Sequence, residues 1–128
     1  MSKVALSLLA LGAVLLAAPA SAKETSPVAI SKTAHGRVFV NDKGMTLYTF
    51  AKDAKGQSNC TGLCAAAWPP VAAAGDAKPS GRWSIVKRDS GGLHWAYKGR
   101  PLYSYAVDVK PGDTTGEGVD GTWHMAKP

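Results

Sequence analysis

The residues best suited to metal or redox chemistry are a cysteine pair, Cys60-x-x-x-Cys64, and two histidines, His94 and His124. Thiolate and imidazole are soft donors that favour copper. Two reduced cysteines four residues apart share one face of a helical turn and so could bind the same ion. Oxidising compartments instead close such pairs into a disulfide. Met125 is a further soft donor, but it points away from His124 because neighbours on a strand alternate faces. We favour a Cys60–Cys64 disulfide and keep a copper or redox site as the alternative.

A second feature with chemical potential is a pair of carboxylates, Asp53 and Asp108, since paired carboxylates serve in acid–base catalysis. Each is followed by a turn containing lysine and glycine, where an aspartate side chain accepts hydrogen bonds from the downstream backbone. We therefore interpret both as turn-capping residues. The sequence contains no haem-attachment motif, nucleophile elbow, phosphate loop or zinc-protease motif. It predicts a protein that is not an enzyme, with no catalytic residue and no cofactor except in the copper alternative.

The two aspartates end copies of one stretch, because the chain is a tandem duplication. At an offset of 55 residues "GMTLYTFAKD" aligns with "GRPLYSYAVD", and Trp68 falls on Trp123. We predict that this register holds without a gap from about residue 28 to the end of the chain. The predicted repeats are about 28–70 and 83–125, joined by a short linker.

Each repeat has the pattern of three short antiparallel strands, because runs rich in β-branched and aromatic residues alternate with turns such as "DKG" and "DSGG". "CTGLCAAAWPP" adds one helical turn, which the paired prolines end. The predicted fold is all-β: two pseudo-symmetric antiparallel β-meander repeats in one small domain, with one short helical turn near the cysteines. Alternation places the motif aromatics on one strand face and Leu47 or Leu102 on the other. We interpret these aromatics as core residues: Tyr48, Phe50, Tyr103 and Tyr105.

Residues 1–22 have the pattern of a secretory signal peptide, in which Lys3 precedes an apolar run and the triplet Ala20-Ser21-Ala22 ends it. The run of about 15 residues is shorter than the roughly 20 that cross a bilayer. Cleavage would leave residues 23–128 as a single domain and lower the formal charge from +6 to +5, because Lys3 is lost. We predict a periplasmic or secreted protein without a transmembrane anchor.

The repeated motif Tyr-x-aromatic-x-x-Asp, together with "CTGLCAAAWPP" and "GTWHMAKP", resembles a bacterial family of secreted repeats of unknown function, also described as predicted lipoproteins. The resemblance covers nearly all of the mature chain and implies a fold without an assigned activity. No cysteine follows the apolar run, so the lipid anchor of lipoprotein members has no attachment point here. The residues that carry the resemblance are Tyr48, Phe50, Asp53, Trp68, Tyr103, Tyr105, Asp108 and Trp123.

The positive charge suits an unknown envelope protein or an acidic polymer as partner. The basic residues are scattered rather than clustered, so nucleic acid is excluded as a partner. The predicted function is therefore a non-enzymatic binding or structural module of the bacterial envelope. The alternative is a periplasmic copper-binding or redox protein that uses Cys60 and Cys64, with His94 or His124 as a further ligand.

Overall fold

A computed structural model describes residues 12–13 and 26–128. The predicted signal peptide lies outside the described residues, apart from residues 12 and 13. None of the helices in the described ranges is long and apolar enough to cross a membrane. The elements of residues 26–128 are β1 (Ala29–Thr33), β2 (Gly36–Val40), β3 (Tyr48–Phe50), α1 (Leu63–Ala67), β4 (Trp83–Lys87), β5 (Leu93–Tyr97), β6 (Arg100–Pro101), a 3₁₀ turn (Val119–Gly121) and β7 (Trp123–Met125).

Each repeat begins with an antiparallel hairpin, β1–β2 in the first copy and β4–β5 in the second. Ile30 pairs with Phe39 in the first hairpin, whereas Ile85 pairs with Trp95 in the second. The offset between copies is therefore 55 residues in the first strand and 56 in the next. The second hairpin turn is one residue longer and the following turn one residue shorter, so the offset of 55 returns before the aromatic motif. The predicted gapless register is wrong in this segment.

The strand that carries the motif leaves its hairpin and pairs across the repeat boundary. β3 pairs with β7 at the end of the chain, whereas β6 is a two-residue strand beside β5. The two motif segments also bond to each other. The N–H of Tyr48 donates to the carbonyl of Tyr103 at 2.7 Å, and the N–H of Tyr103 donates to the carbonyl of Tyr48 at 2.9 Å. A pseudo-two-fold axis passes between these tyrosines. Each half thus covers an edge that the other half would expose.

The predicted all-β antiparallel fold with one short helical turn is confirmed. The finding that differs is the partner of β3, which is β7 rather than its own hairpin. The helix α1 begins after Gly62, at φ 60°, and ends at Ala67, with Trp68 between it and Pro69 and Pro70. Proline at these positions removes the backbone donors that a longer helix would need.

The core consists of two clusters on opposite faces of the motif strands. Leu47 and Leu102 belong to an apolar cluster with Phe39 and Trp83. Tyr48 and Tyr103 belong to an aromatic cluster, and both tyrosines are 0% exposed. The prediction that the motif aromatics are core residues is confirmed for Tyr48 and Tyr103, whereas Phe50 and Tyr105 are half-buried and pack against the same cluster. Burial of an aromatic side chain of this size stabilises the domain by about 1.5–3 kcal/mol.

Candidate functional site

Each motif tyrosine bonds to the motif aspartate of the other copy. The hydroxyl of Tyr48 donates to Oδ2 of Asp108 at 2.6 Å, and the hydroxyl of Tyr103 donates to Oδ2 of Asp53 at 2.6 Å. A buried hydroxyl needs a partner, and a carboxylate is the strongest acceptor that a side chain offers. The motif therefore joins the two halves of the domain.

The titration of these groups favours a structural role. Burial raises the pKa of Tyr48 and of Tyr103, and the hydrogen bond to the neighbouring carboxylate raises each further. Both phenols are protonated donors at neutral pH. Burial also raises the pKa of Asp53, although hydrogen bonds from Asn59 and Tyr103 oppose that shift.

The aspartates also close the loops that follow them, as the turn-capping interpretation predicts. Oδ1 of Asp53 accepts the N–H of Asn59 at 2.7 Å. Oδ1 of Asp108 accepts the N–H of Thr115 at 3.0 Å and also the Thr115 hydroxyl. Each carboxylate is thus divided between its own loop and the tyrosine of the other copy. The two aspartates are committed to separate loops and do not form a shared acid–base pair.

The remaining motif aromatics form a stack on the pseudo-two-fold axis. Trp68 and Trp123 occupy equivalent positions in the two copies and stack on each other at 3.7 Å with an interplanar angle of 2°. Phe50 stacks on the outer face of Trp123 at 4.3 Å, and Tyr105 on the outer face of Trp68 at 3.8 Å. The four rings extend the cross-repeat contact that the Tyr–Asp pairs make.

Next to this stack, Arg88 binds the cysteine loop, residues 58–64, and fixes the tautomer of His94. Its Nη1 donates to Oγ of Ser58 at 2.9 Å and to Nδ1 of His94 at 3.1 Å, and its Nη2 donates to the carbonyl of Cys60 at 2.6 Å. A guanidinium only donates, so Nδ1 of His94 is the acceptor and Nε2–H donates to the carbonyl of Leu102. Burial, reinforced by the Arg88 charge, lowers the pKa of His94 to about 4, and the bond to Leu102 only partly opposes this. His94 is neutral and uses both ring nitrogens.

The structure does not bring the four candidate copper ligands together. Cys60 and Cys64 are bonded to each other, as predicted. His94 is enclosed in the network just described, whereas His124 is exposed with its Nδ1 3.2 Å from Oε1 of Glu117. Within the described part of the chain, no group of three or more Cys, His, Asp or Glu side chains is arranged to hold a metal ion.

Sequence comparison assigns the chain to a family. A family described as a secreted repeat of unknown function matches residues 29–72 and again residues 84–127. The chain belongs to this family. The two matches confirm the predicted resemblance and duplication, and membership of a secreted family confirms that the protein is periplasmic or secreted. Comparison with curated proteins and with solved structures finds no match.

Sequence reasoning missed a basic groove on this secreted repeat. The groove consists of two adjoining cavities of about 640 and 430 Å³, between β6 on one side and β3 and β7 on the other. Its one carboxylate is Asp53, whose two oxygens already accept hydrogen bonds from Asn59 and Tyr103. The cations of the groove are Lys55, Lys98, Arg100 and Lys127.

Proposed function

We propose that this secreted repeat is a non-enzymatic binding module of the bacterial envelope that recognises an acidic partner. The observation that carries the proposal is the charge of the groove, in which four cations face one carboxylate that is already hydrogen-bonded. A concave surface lined by one sign of charge attracts ligands of the opposite sign and raises their local concentration. The exported state of the family brings this surface to acidic envelope polymers and proteins.

The use of the motif residues supports the non-enzymatic part of the proposal. A catalytic acid or base needs a substrate within hydrogen-bonding reach. Tyr48 and Tyr103 are fully buried and donate to aspartates, and His94 has both nitrogens occupied by protein groups. These groups therefore stabilise the fold, and the exposed basic groove is the part of the protein that can recognise a partner.

The proposal is tested by measuring binding of the mature protein to an immobilised polyanion, with a neutral polysaccharide on a matched matrix as control. We expect binding to the polyanion alone, and an affinity that falls as salt is added, because exposed charges are screened over about 8 Å at physiological ionic strength. Equal retention on the neutral matrix, or affinity that is insensitive to salt, would contradict the proposal.

Copper binding is the second candidate, and it depends on reduction of the cysteines. Cys64 lies on the short helix α1 and is only half-buried, so a small reductant can reach the disulfide. A disulfide offers no thiolate, so the oxidised protein should bind copper no better than an unstructured peptide that contains histidine. Titration of Cu(I) against a competing chelator, with reduced parent and a Cys60→Ser/Cys64→Ser variant side by side, tests this role. Equal weak binding by both proteins would eliminate it.

A further inference from the structure

We propose that the basic groove binds a linear polyanion, a polymer that carries repeated phosphate or carboxylate groups, and that only one of the two pseudo-symmetric sides of the domain does so. The proposal rests on the proposed function and names its site and ligand. Its main support is an internal comparison that the duplication supplies.

The pseudo-two-fold axis relates the smaller cavity of the groove to a second cavity of similar size. The volumes are about 430 and 360 Å³. Equivalent backbone bonds frame the two, since the N–H of Ala126 donates to Leu47 and the N–H of Val71 donates to Leu102. The same scaffold therefore makes both cavities. Counterparts that line them, with the basic groove first, are Thr49 and Ser104, Ala126 and Val71, and Lys127 and Ala72.

The two cavities differ in charge rather than in architecture. Lys127 occupies the place of Ala72. The turn that contains Lys98 corresponds to a turn with both Asp42 and Lys43, of which Asp42 lines the second cavity and Lys43 does not. No cation lines the second cavity. Since the second cavity forms without a lining cation, the cations that line only the basic groove point to a ligand.

Arg100 gives the same contrast in the adjoining turn. Arg100 pairs with Tyr97 where the second hairpin ends, and Met45 bonds to Asn41 at the equivalent place in the first copy. An uncharged residue thus occupies the equivalent turn position in the first copy. Arginine adds a planar donor group that matches phosphate and carboxylate oxygens.

Contacts hold three of the cations before any ligand arrives. The Lys55 side chain packs over Gly99 so closely that a Cβ there would lie 2.6 Å from its Cγ. Nζ of Lys98 lies 5.4 Å from the ring centroid of Tyr97, and Nζ of Lys127 donates to the carbonyl of His35 at 2.9 Å. Side chains that are already ordered lose less entropy on binding.

The arrangement of the cations favours a polymer over a single anion. Lys55 lines only the larger cavity and Lys127 only the smaller one, whereas Lys98 and Arg100 line both. Positive charge therefore continues through both cavities. A chain with repeated negative groups can contact all four cations, and it releases a counterion at each contact.

The test replaces three cations of the basic groove with residue types found around the second cavity. In the variant Lys98→Asp/Arg100→Met/Lys127→Ala, Arg100 and Lys127 take the types of their counterparts Met45 and Ala72, and Lys98 takes that of Asp42, the residue of the equivalent turn that lines the second cavity. The matched control is Lys43→Glu/Lys110→Glu, which lowers the net charge equally but alters exposed lysines outside both cavities. Binding of each protein to inorganic polyphosphate, a polyuronate and neutral dextran is measured by calorimetry at several salt concentrations.

We expect the parent to bind one or both polyanions and the groove variant to lose at least tenfold in affinity, while the control stays within about threefold. The salt slope of the groove variant should be shallower by about three, one for each cation removed. The polyphosphate and polyuronate arms distinguish phosphate from carboxylate as the recognised group. Thermal melting verifies that both variants are folded, and the single Lys127→Ala variant, with a smaller loss, replaces the triple variant if that one is unfolded.

Three outcomes would overturn the inference. Equal losses in the groove variant and the control would assign binding to net charge, and a loss in the control alone would place the site elsewhere. Competition by monomeric phosphate at the concentration of polymer repeat units would indicate a single-anion site. In these cases the binding module itself stands, whereas a parent that binds neither polyanion would refute the proposed function as well.

Discussion

At the scale of single residues, hydrogen bonds between buried polar groups decide which side chains contact each other in the core. Tyr48 and Tyr103 are 0% exposed, so their hydroxyls must bond within the protein, and Asp108 and Asp53 satisfy them. The same demand explains His94, which occurs where the first copy has the apolar residue Val38. Hydrogen bonds of His94 to Arg88 and to the carbonyl of Leu102 replace purely apolar packing there.

His94 should make the stability of the domain depend on pH. Its pKa is about 4 in the folded state and about 6.5 in the unfolded state, so the unfolded chain binds more protons between these values. The free energy of unfolding should therefore fall as pH falls through this window, by about 1.4 kcal/mol per pH unit at most and about 3 kcal/mol in total. Chemical denaturation of the parent and of a His94→Val variant from pH 7 to pH 4 measures the difference, and parallel curves would contradict this assignment.

Gly116 should tolerate no side chain, because it lies against the aromatic cluster. A Cβ at this position would be 2.7 Å from the Tyr48 ring and 2.9 Å from the Trp68 ring, and both rings are buried. Overpacking of this kind costs about 1–3 kcal/mol. Denaturant unfolding should show that loss for Gly116→Ala and a change of about 0.5 kcal/mol or less for Gly75→Ala, where a Cβ meets open space. Equal effects would contradict the packing at Gly116.

At the scale of elements, the cysteine loop is a local support for the Tyr103 side of the axis. The disulfide closes residues 60–64, directly after Ser58 and Asn59, which bind Tyr103 and Asp53. The helix α1 completes this segment. The equivalent loop in the second copy has no disulfide and is held by contacts between Thr115 and Asp108 instead.

Loss of the disulfide should loosen this loop without unfolding the domain. Closing so short a loop restricts the unfolded chain by about 2 kcal/mol, which is less than the total stability of a typical domain. We expect a Cys60→Ser/Cys64→Ser variant to melt at lower temperature, with faster hydrogen exchange at the Asn59 amide and little change at the Thr115 amide. Global unfolding, or equal acceleration at both amides, would contradict a local role.

The hairpins and the short helix could be predicted from sequence because their signals are local. β-branched residues alternate along the strands, and Pro69 with Pro70 ends α1. The one-residue shift between the hairpins was missed, since an insertion in one turn is cancelled by a deletion in the next. The partner of β3 was missed because it lies at the far end of the chain, where no local pattern points to it.

The site was less predictable than the fold, for the same physical reason. Tyr and Asp of one motif copy lie on a single segment, so reading along the chain suggests local turn capping and hides the bond to the other copy. The groove collects cations from three separate segments, so a sequence without basic clusters still folds into a basic surface. Duplication was the one available signal, since a two-fold arrangement exchanges equivalent partners.

At the scale of the whole molecule, the two copies are halves of one structure. They share the backbone bonds between Tyr48 and Tyr103, the stack of Trp68 on Trp123 and the exchanged aspartates. One scaffold presents two related cavities, and only one of them is basic. The contacts between the two copies thus stabilise the domain, and the difference in charge between their cavities creates a candidate binding surface.

The central claim is that the family motif works across the copies, and a double-mutant cycle tests it most directly. The cycle combines Tyr48→Phe with Asp108→Ala, and the control cycle combines Tyr48→Phe with Asp53→Ala, the aspartate of its own copy. We predict a coupling free energy of about 1–3 kcal/mol for the first pair and one within about 0.5 kcal/mol of zero for the second. Strong coupling of Tyr48 to Asp53 with none to Asp108, measured by the same denaturant unfolding, would contradict the account.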